Sequence, residues 1–126
     1  MSKKILIVED NPQNMKVMRL TLRPLGCEVF EATDGEQGVE VARREKPDLI
    51  LMDVQLPKMN GLDATRAIRS YDELKRTRIV AITAYARKAD KDKAIAAGCD
   101  AYISKPINTR DVRGVVAGLM RGVKVD

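Results

Sequence analysis

The sequence contains no histidine and no tryptophan. Without histidine there can be no Ser-His or Cys-His catalytic arrangement and no His-ligated zinc site, and any phosphohistidine chemistry must take place on a partner. Aromatic residues are scarce, one Phe and three Tyr, which argues against a base-stacking platform for single-stranded nucleic acid. The two cysteines, Cys27 and Cys99, are too far apart for a CxxC motif and read as free thiols of a reducing compartment. Apolar runs such as Ile5 to Val8 and Leu49 to Met52 stop at four residues, far short of the roughly twenty that a bilayer requires. The start, Met1-Ser2-Lys3-Lys4, lacks the apolar stretch of a signal peptide, so the expectation is a cytoplasmic protein without membrane insertion. No GxxxxGK[ST] or GxGxxG phosphate loop occurs, and there is no low-complexity tract or internal repeat.

What is present is a chain of 126 residues, 44% hydrophobic and 33% charged, a size and composition suited to one globular unit. The net charge of +5 is uneven: residues 1–60 carry 9 Lys/Arg against 10 Asp/Glu, and residues 61–126 carry 14 against 8. The basic half is interleaved with Asp90, Asp92 and Asp111, so it reads as a solvated surface that favours an acidic protein partner over nucleic acid.

Punctuation along the chain is regular. Lys4 to Glu9 is a short strand, and Asn11-Pro12 is a helix cap followed by proline at the first helical position. Met15, Met18, Leu22 and Leu25 recur at helical spacing until Pro24 and Gly26. Cys27 to Ala32 is a strand whose Glu28 and Glu31 suit a sheet edge. Asp34 and Gln37 resemble a capping box opening a helix that ends before Pro47. Asp48 to Asp53 has an unalternating apolar run, as a strand covered on both faces requires. A short helix follows Asn60-Gly61, Arg78 to Ala84 is a strand, and residues 87–97 form a helix with a thin apolar face, predicted to be loosely held. Asp100 to Ser104 is the fifth strand, and Asn108-Thr109 opens a last helix along Val112, Val116 and Leu119. In that helix Gly114, Gly118 and Gly122 recur every fourth residue and are expected off the apolar stripe.

Alternation of five strands with five helices predicts a (βα)5 three-layer α/β sandwich with a parallel sheet in the order 2-1-3-4-5. Cys27 and Cys99 then belong to opposite edges and cannot bridge. Such sheets bind ligands outside the carboxyl ends of their strands. The strand ends here carry Glu9-Asp10, Asp53, Thr83-Ala84 and Lys105-Pro106. Three crowded acids repel one another unless a cation intervenes, and oxygen-only donors favour a hard ion such as Mg²⁺. A carboxylate beside such an ion, with Lys105 and Thr83 placed to bind phosphoryl oxygens, points to phosphoryl transfer onto aspartate. A haloacid-dehalogenase-type phosphatase would need a DxD pair where the chain has Asp53-Val54-Gln55. A flavin carrier would bring phosphate to a loop where Glu9 and Asp10 repel it.

The segments Ile5 to Asn11, Asp48 to Pro57, Asn60-Gly61, Ile82-Thr83-Ala84 and Tyr102 to Pro106 together resemble the receiver domain of two-component response regulators over residues 3 to about 121. Within that CheY-like family the wording is most similar to DivK-type single-domain regulators and to receivers of hybrid-kinase relays. The resemblance implies that Asp53 accepts a phosphoryl group from the phosphohistidine of a sensor histidine kinase or a histidine phosphotransfer protein. It implies that Asp10, Asp53, the Gln55 carbonyl and Glu9, the last through water, hold Mg²⁺, with Mn²⁺ as a substitute. Thr83, Lys105 and the Ala84 backbone N–H would bind phosphoryl oxygens, and Lys105-Pro106 would be a cis peptide. Thr83 and Tyr102 would act as the switch, and the fourth helix, fifth strand and fifth helix would meet a downstream effector. The expectation is one receiver over 1–126 without an output domain, monomeric or weakly dimeric. It catalyses its own phosphorylation and dephosphorylation rather than the turnover of a substrate.

Overall fold

The computed structural model describes residues 3–85 and 87–120. Strands β1 (Lys4–Val8), β2 (Glu28–Ala32), β3 (Leu49–Asp53), β4 (Arg78–Thr83) and β5 (Ala101–Ser104) alternate with helices α1 (Pro12–Leu22), α2 (Gly35–Glu45), α3 (Gly61–Arg69), α4 (Lys88–Ala97) and α5 (Thr109–Met120). All strand pairs are parallel, and the sheet order is β2-β1-β3-β4-β5, as the alternation predicts.

Side chains on successive strand residues point to opposite faces, and this divides the core in two. Leu6, Val8, Ile50, Met52, Ile79 and Ala81 meet Val41, Ala42, Ala64, Ile68 and Ala94 of α2, α3 and α4. Ile5, Ile7, Leu49, Leu51, Val80 and Ile82 meet Met15, Met18 and Leu22 of α1 and Val112, Val116 and Leu119 of α5. Every residue of β3 is buried, which is why its sequence carries no polar alternation. Each such Ile or Leu contributes roughly 1.5–3 kcal/mol by burial.

Helix starts are fixed by asparagine and aspartate. Asn11 Oδ1 accepts from the Gln13 and Asn14 N–H groups at 2.9 and 3.0 Å, Asn60 from Asp63 N–H at 2.9 Å and Asn108 from Arg110 N–H at 2.8 Å. Asp34 accepts from Gln37 N–H at 2.7 Å. The Gln37 side chain returns to the N–H of Thr33, at 2.9 Å, rather than to that of Asp34, so the box closes one residue earlier than its usual form. Helix α4 has no capping side chain, and only Ala94 and Ala97 of it are buried.

Three local expectations are corrected. Leu25 does not extend the α1 stripe: it falls in a 3-10 turn over Arg23–Leu25 and is exposed, because the chain leaves the helix through Gly26 at φ 71°. Cys27 precedes β2 and is half-buried, while Cys99 is buried, and both thiols are free. Gly118 is buried together with Val112, Val116 and Leu119 instead of lying off that stripe, because four residues advance the helix by about 40°. Gly114 is open, with nothing near its missing Cβ, and Gly122 lies outside the described residues. Among the described residues no helix is long and apolar enough to cross a membrane.

Candidate functional site

β1 and β3 are neighbours, yet the helices that follow them, α1 and α3, pack on opposite faces. Their carboxyl ends therefore border an open crevice. Glu9 and Asp10 follow β1 directly, and the Glu9 N–H donates to the Ala32 carbonyl at 3.0 Å, which keeps the backbone extended into the crevice. Asp53 is the last residue of β3, and Thr83 is the last residue of β4. Lys105 follows β5, its N–H bonded to the Thr83 carbonyl at 2.7 Å. The Lys105-Pro106 peptide is cis, as expected.

Ligand oxygens of Glu9, Asp10 and Asp53 lie within 4.8 Å of one another. Glu9 and Asp53 are buried and Asp10 is exposed. Lys105 Nζ lies 3.1 and 3.0 Å from the two Asp53 oxygens, and Asp53 Oδ1 also accepts from the Gln55 N–H at 2.9 Å. Glu9 Oε2 accepts from the Asn11 N–H at 3.1 Å, while Glu9 Oε1 is buried with no partner among the described residues. Burial, and then the neighbouring Asp53 carboxylate, push the Glu9 carboxyl up to about 7, against the smaller opposing effects of the Asn11 N–H and Lys105.

This arrangement fits a hard cation. The donors are all oxygen, one buried carboxylate oxygen lacks any partner, and a divalent ion would relieve the repulsion that raises Glu9. Among the described residues no backbone N–H donates to the Gln55 carbonyl, so that oxygen is also available.

Glu9, Asp10, Asp53 and Lys105 are thus brought together directly. The buried Thr83 is not bonded to them: its hydroxyl oxygen accepts from the Tyr85 N–H at 3.0 Å. Ala84 lies exposed just beyond β4. Tyr102 is half-buried on β5 and packs toward the α4 side. Thr83 and Tyr102 line one cavity with Val54, Leu62 and Ala94.

Two features of the crevice were not apparent from the sequence. A Cβ on Gly61 would strike the Asp53 carbonyl oxygen and come within 2.8 Å of Val54 Cα, so the glycine allows the β3–α3 loop to fold back close to Asp53. Lys91 of α4 stacks its ammonium over the Tyr102 ring, 4.6 Å from the centroid. The Asn-Gly pair at 60–61 marked a turn, but nothing local indicated the contact with Asp53. Lys91 carried only the weak signal of standing three residues before the buried Ala94.

Comparison with known proteins places the chain. Residues 5–117 match the family model for the response regulator receiver domain. The chain is 44% identical over 108 residues to the polar-differentiation response regulator DivK of Brucella anthropi, covering 86% of this chain and 88% of that protein. It is 51% identical over 116 residues to hybrid signal transduction histidine kinase G of Dictyostelium discoideum, covering 90% of this chain and 3% of the kinase. Among solved structures it resembles the receiver domain of a sensor histidine kinase from Pseudomonas aeruginosa, which has a magnesium ion coordinated in its active-site cleft. That likeness has a TM-score of 0.84 at 39% identity, over 92% of this chain and 95% of the other. A chemotaxis response regulator of Vibrio cholerae matches with a TM-score of 0.89 at 27% identity, over 93% and 98%. The fold, the crevice and these likenesses converge: the chain belongs to the response regulator receiver domain family, the phosphoacceptor modules of two-component signalling.

Proposed function

We propose that Asp53 is the phosphoacceptor and that the residues around it carry out a Mg²⁺-dependent transfer from a partner's phosphohistidine. The observation that carries this reading is the junction of strand ends, where a buried Asp53 is held by Lys105 through both carboxylate oxygens beside Glu9 and Asp10. With no histidine in the chain, the donor belongs to another protein, a sensor histidine kinase or a histidine phosphotransfer protein.

Asp10, Asp53, the Gln55 carbonyl and Glu9, through water, are the groups that would hold the ion. Mn²⁺ would substitute on the same hard-donor grounds. When bound, Mg²⁺ neutralises the acids and draws charge from phosphoryl oxygens. An Asp53 carboxylate oxygen attacks phosphorus, a P–O bond forms as the donor P–N bond breaks, and the electron pair leaves with the imidazole nitrogen. Lys105, paired with the carboxylate at rest, shifts to a phosphoryl oxygen and offsets its added charge. The Ala84 N–H donates to a second oxygen, and its methyl side chain leaves the mouth open. The Thr83 hydroxyl releases the Tyr85 N–H, rotates and donates to a phosphoryl oxygen. In a separate hydrolysis, water attacks phosphorus, the P–O bond to Asp53 breaks, the carboxylate leaves with the electron pair and inorganic phosphate departs. The chain in this way promotes both its own phosphorylation and its own dephosphorylation.

The cavity between Thr83 and Tyr102 is about 50 Å³, room for only one or two waters. Tyr102 enters it only when Thr83 moves out, which links the phosphoryl site to the surface made by α4, β5 and α5. That surface meets the downstream effector, and its helix α4, with two buried alanines and an exposed Ile95, resists movement little. The chain acts as one receiver unit in the cytoplasm, monomeric or weakly dimeric, and recognises protein rather than nucleic acid. The test is intact mass after incubation with Mg²⁺ and acetyl phosphate. A single phosphoryl adduct in the wild type, absent without Mg²⁺ and absent in Asp53→Asn, supports the reading. Equal adduct formation in Asp53→Asn refutes it.

A further inference from the structure

We propose that Lys91 is a positioning residue: its ammonium, stacked on the Tyr102 ring, holds that ring in the resting position and so opposes phosphorylation of Asp53. The inference rests on the coupling of Tyr102 and Thr83 set out above and adds the residue of this chain that biases it. Lys91 sits one turn before the buried Ala94, on the side of α4 that faces the sheet, and its Nζ lies 4.6 Å from the Tyr102 ring centroid. Its charge is free for that contact. The acids of α4 are already engaged, Asp90 with Arg87 at 2.9 Å and Asp92 with Lys88 at 3.2 Å. Among the described residues Lys91 forms no ion pair.

Both partners border the Thr83 cavity. The proposal assigns the 4.6 Å contact to the resting arrangement: a ring that turned deeper toward Thr83 would give up its present stacking under the ammonium. A differential contact of this kind shifts a two-state equilibrium by its own strength. For a partly exposed cation–π pair that is about a two- to five-fold factor. Because phosphorylation draws on the switched state, the same factor enters the donor concentration needed.

The experiment measures, by intact mass with Mg²⁺ present, the acetyl phosphate concentration that phosphorylates half of the chain. Lys91→Met keeps the apolar stem and is expected to lower that concentration about two- to five-fold, Lys91→Arg to restore the wild-type value, and Lys88→Met to leave it unchanged. In a Tyr102→Ala background the effect of Lys91→Met should vanish, which a general loss of charge or of helix stability would not produce. An unchanged or raised concentration in Lys91→Met overturns the proposal, as does an equal fall in the Tyr102→Ala background. A wild type that takes no adduct refutes instead the phosphoacceptor reading, before any variant is compared.

Discussion

Glu9 should weaken the fold at neutral pH, and Glu9→Gln should strengthen it. Glu9 is 1% exposed, one of its carboxyl oxygens has no partner among the described residues, and the Asp53 carboxylate stands beside it. Its folded-state value is about 7, against 4.5 for an unperturbed glutamic acid. The folded chain therefore holds this proton more tightly than the unfolded chain does. Between about pH 4.5 and 7 the native state binds more protons, so stability falls as pH rises through that window. At about 1.4 kcal/mol per pH unit of displacement, the ionised Glu9 costs about 3 kcal/mol once the pH passes 7. For a domain of this length that is on the order of 10 °C in Tm.

Glutamine keeps the shape and removes the charge. Urea unfolding of both chains, without divalent ions, should show Glu9→Gln more stable by about 3 kcal/mol at pH 8, with the advantage gone at pH 4. Other carboxylates titrate in both proteins, so the difference between the two curves isolates Glu9. Adding Mg²⁺ at pH 8 should raise the wild type more than the variant, because the ion binds the folded site that retains its full charge. A variant no more stable than wild type at pH 8, or an advantage that persists undiminished at pH 4, would refute the argument that burial beside Asp53 raises this group.

Arg69 donates to the carbonyls of Gly98, Leu74 and Thr77 at 2.9, 3.1 and 2.6 Å and pairs with Asp100 at 3.0 Å. Arg69→Met should cost about 2–4 kcal/mol in urea unfolding, with Arg69→Lys recovering only part, since one ammonium cannot reach all four groups. Lys46 ends α2 in the left-handed region at φ 49°. Lys46→Gly should raise stability by about 0.5–1 kcal/mol in the same assay. Cys99 is buried and its thiol is pushed up to about 11, mainly by burial. A disulfide reagent should modify the half-buried Cys27 first and reach Cys99 only as fast as the chain opens, measured as two kinetic phases.

Local signals made most of the architecture readable. Burial on both faces leaves a mark in Leu49 to Met52, a run without polar residues that ends only at Asp53, where the strand reaches the crevice. Asn11, Asp34, Asn60 and Asn108 cap helices through bonds that span two or three residues, a range over which side-chain type decides the geometry. Where the expectation failed, the deciding contact was distant or angular. Leu25 had the right spacing but lies beyond Pro24, in a tighter turn that rotates it to solvent. The Arg69 clamp joins groups about thirty residues apart in sequence, and neither end advertises the other. Gly61 was readable as a turn residue, yet its closeness to Asp53 depends on how the loop folds over β3.

The site was more legible than such tertiary detail because topology does the assembling. A parallel sheet sends every strand end to the same side of the molecule, so Glu9, Asp53, Thr83 and Lys105 share one mouth without any long-range signal between them. What the strand-end rule does not carry is the state of each group. It left unstated that the Thr83 hydroxyl is occupied by the Tyr85 N–H, that Lys105 spans both Asp53 oxygens, and that Glu9 Oε1 has no partner. Those states make the crevice strained at rest, with repelling acids on one side and a committed hydroxyl on the other. On the proposed reading, a phosphoryl group with its cation would give the acids their counter-charge and would give Lys105 and Thr83 new acceptors. The same event would then stabilise the site and loosen the bond that ties Thr83 to the loop before α4.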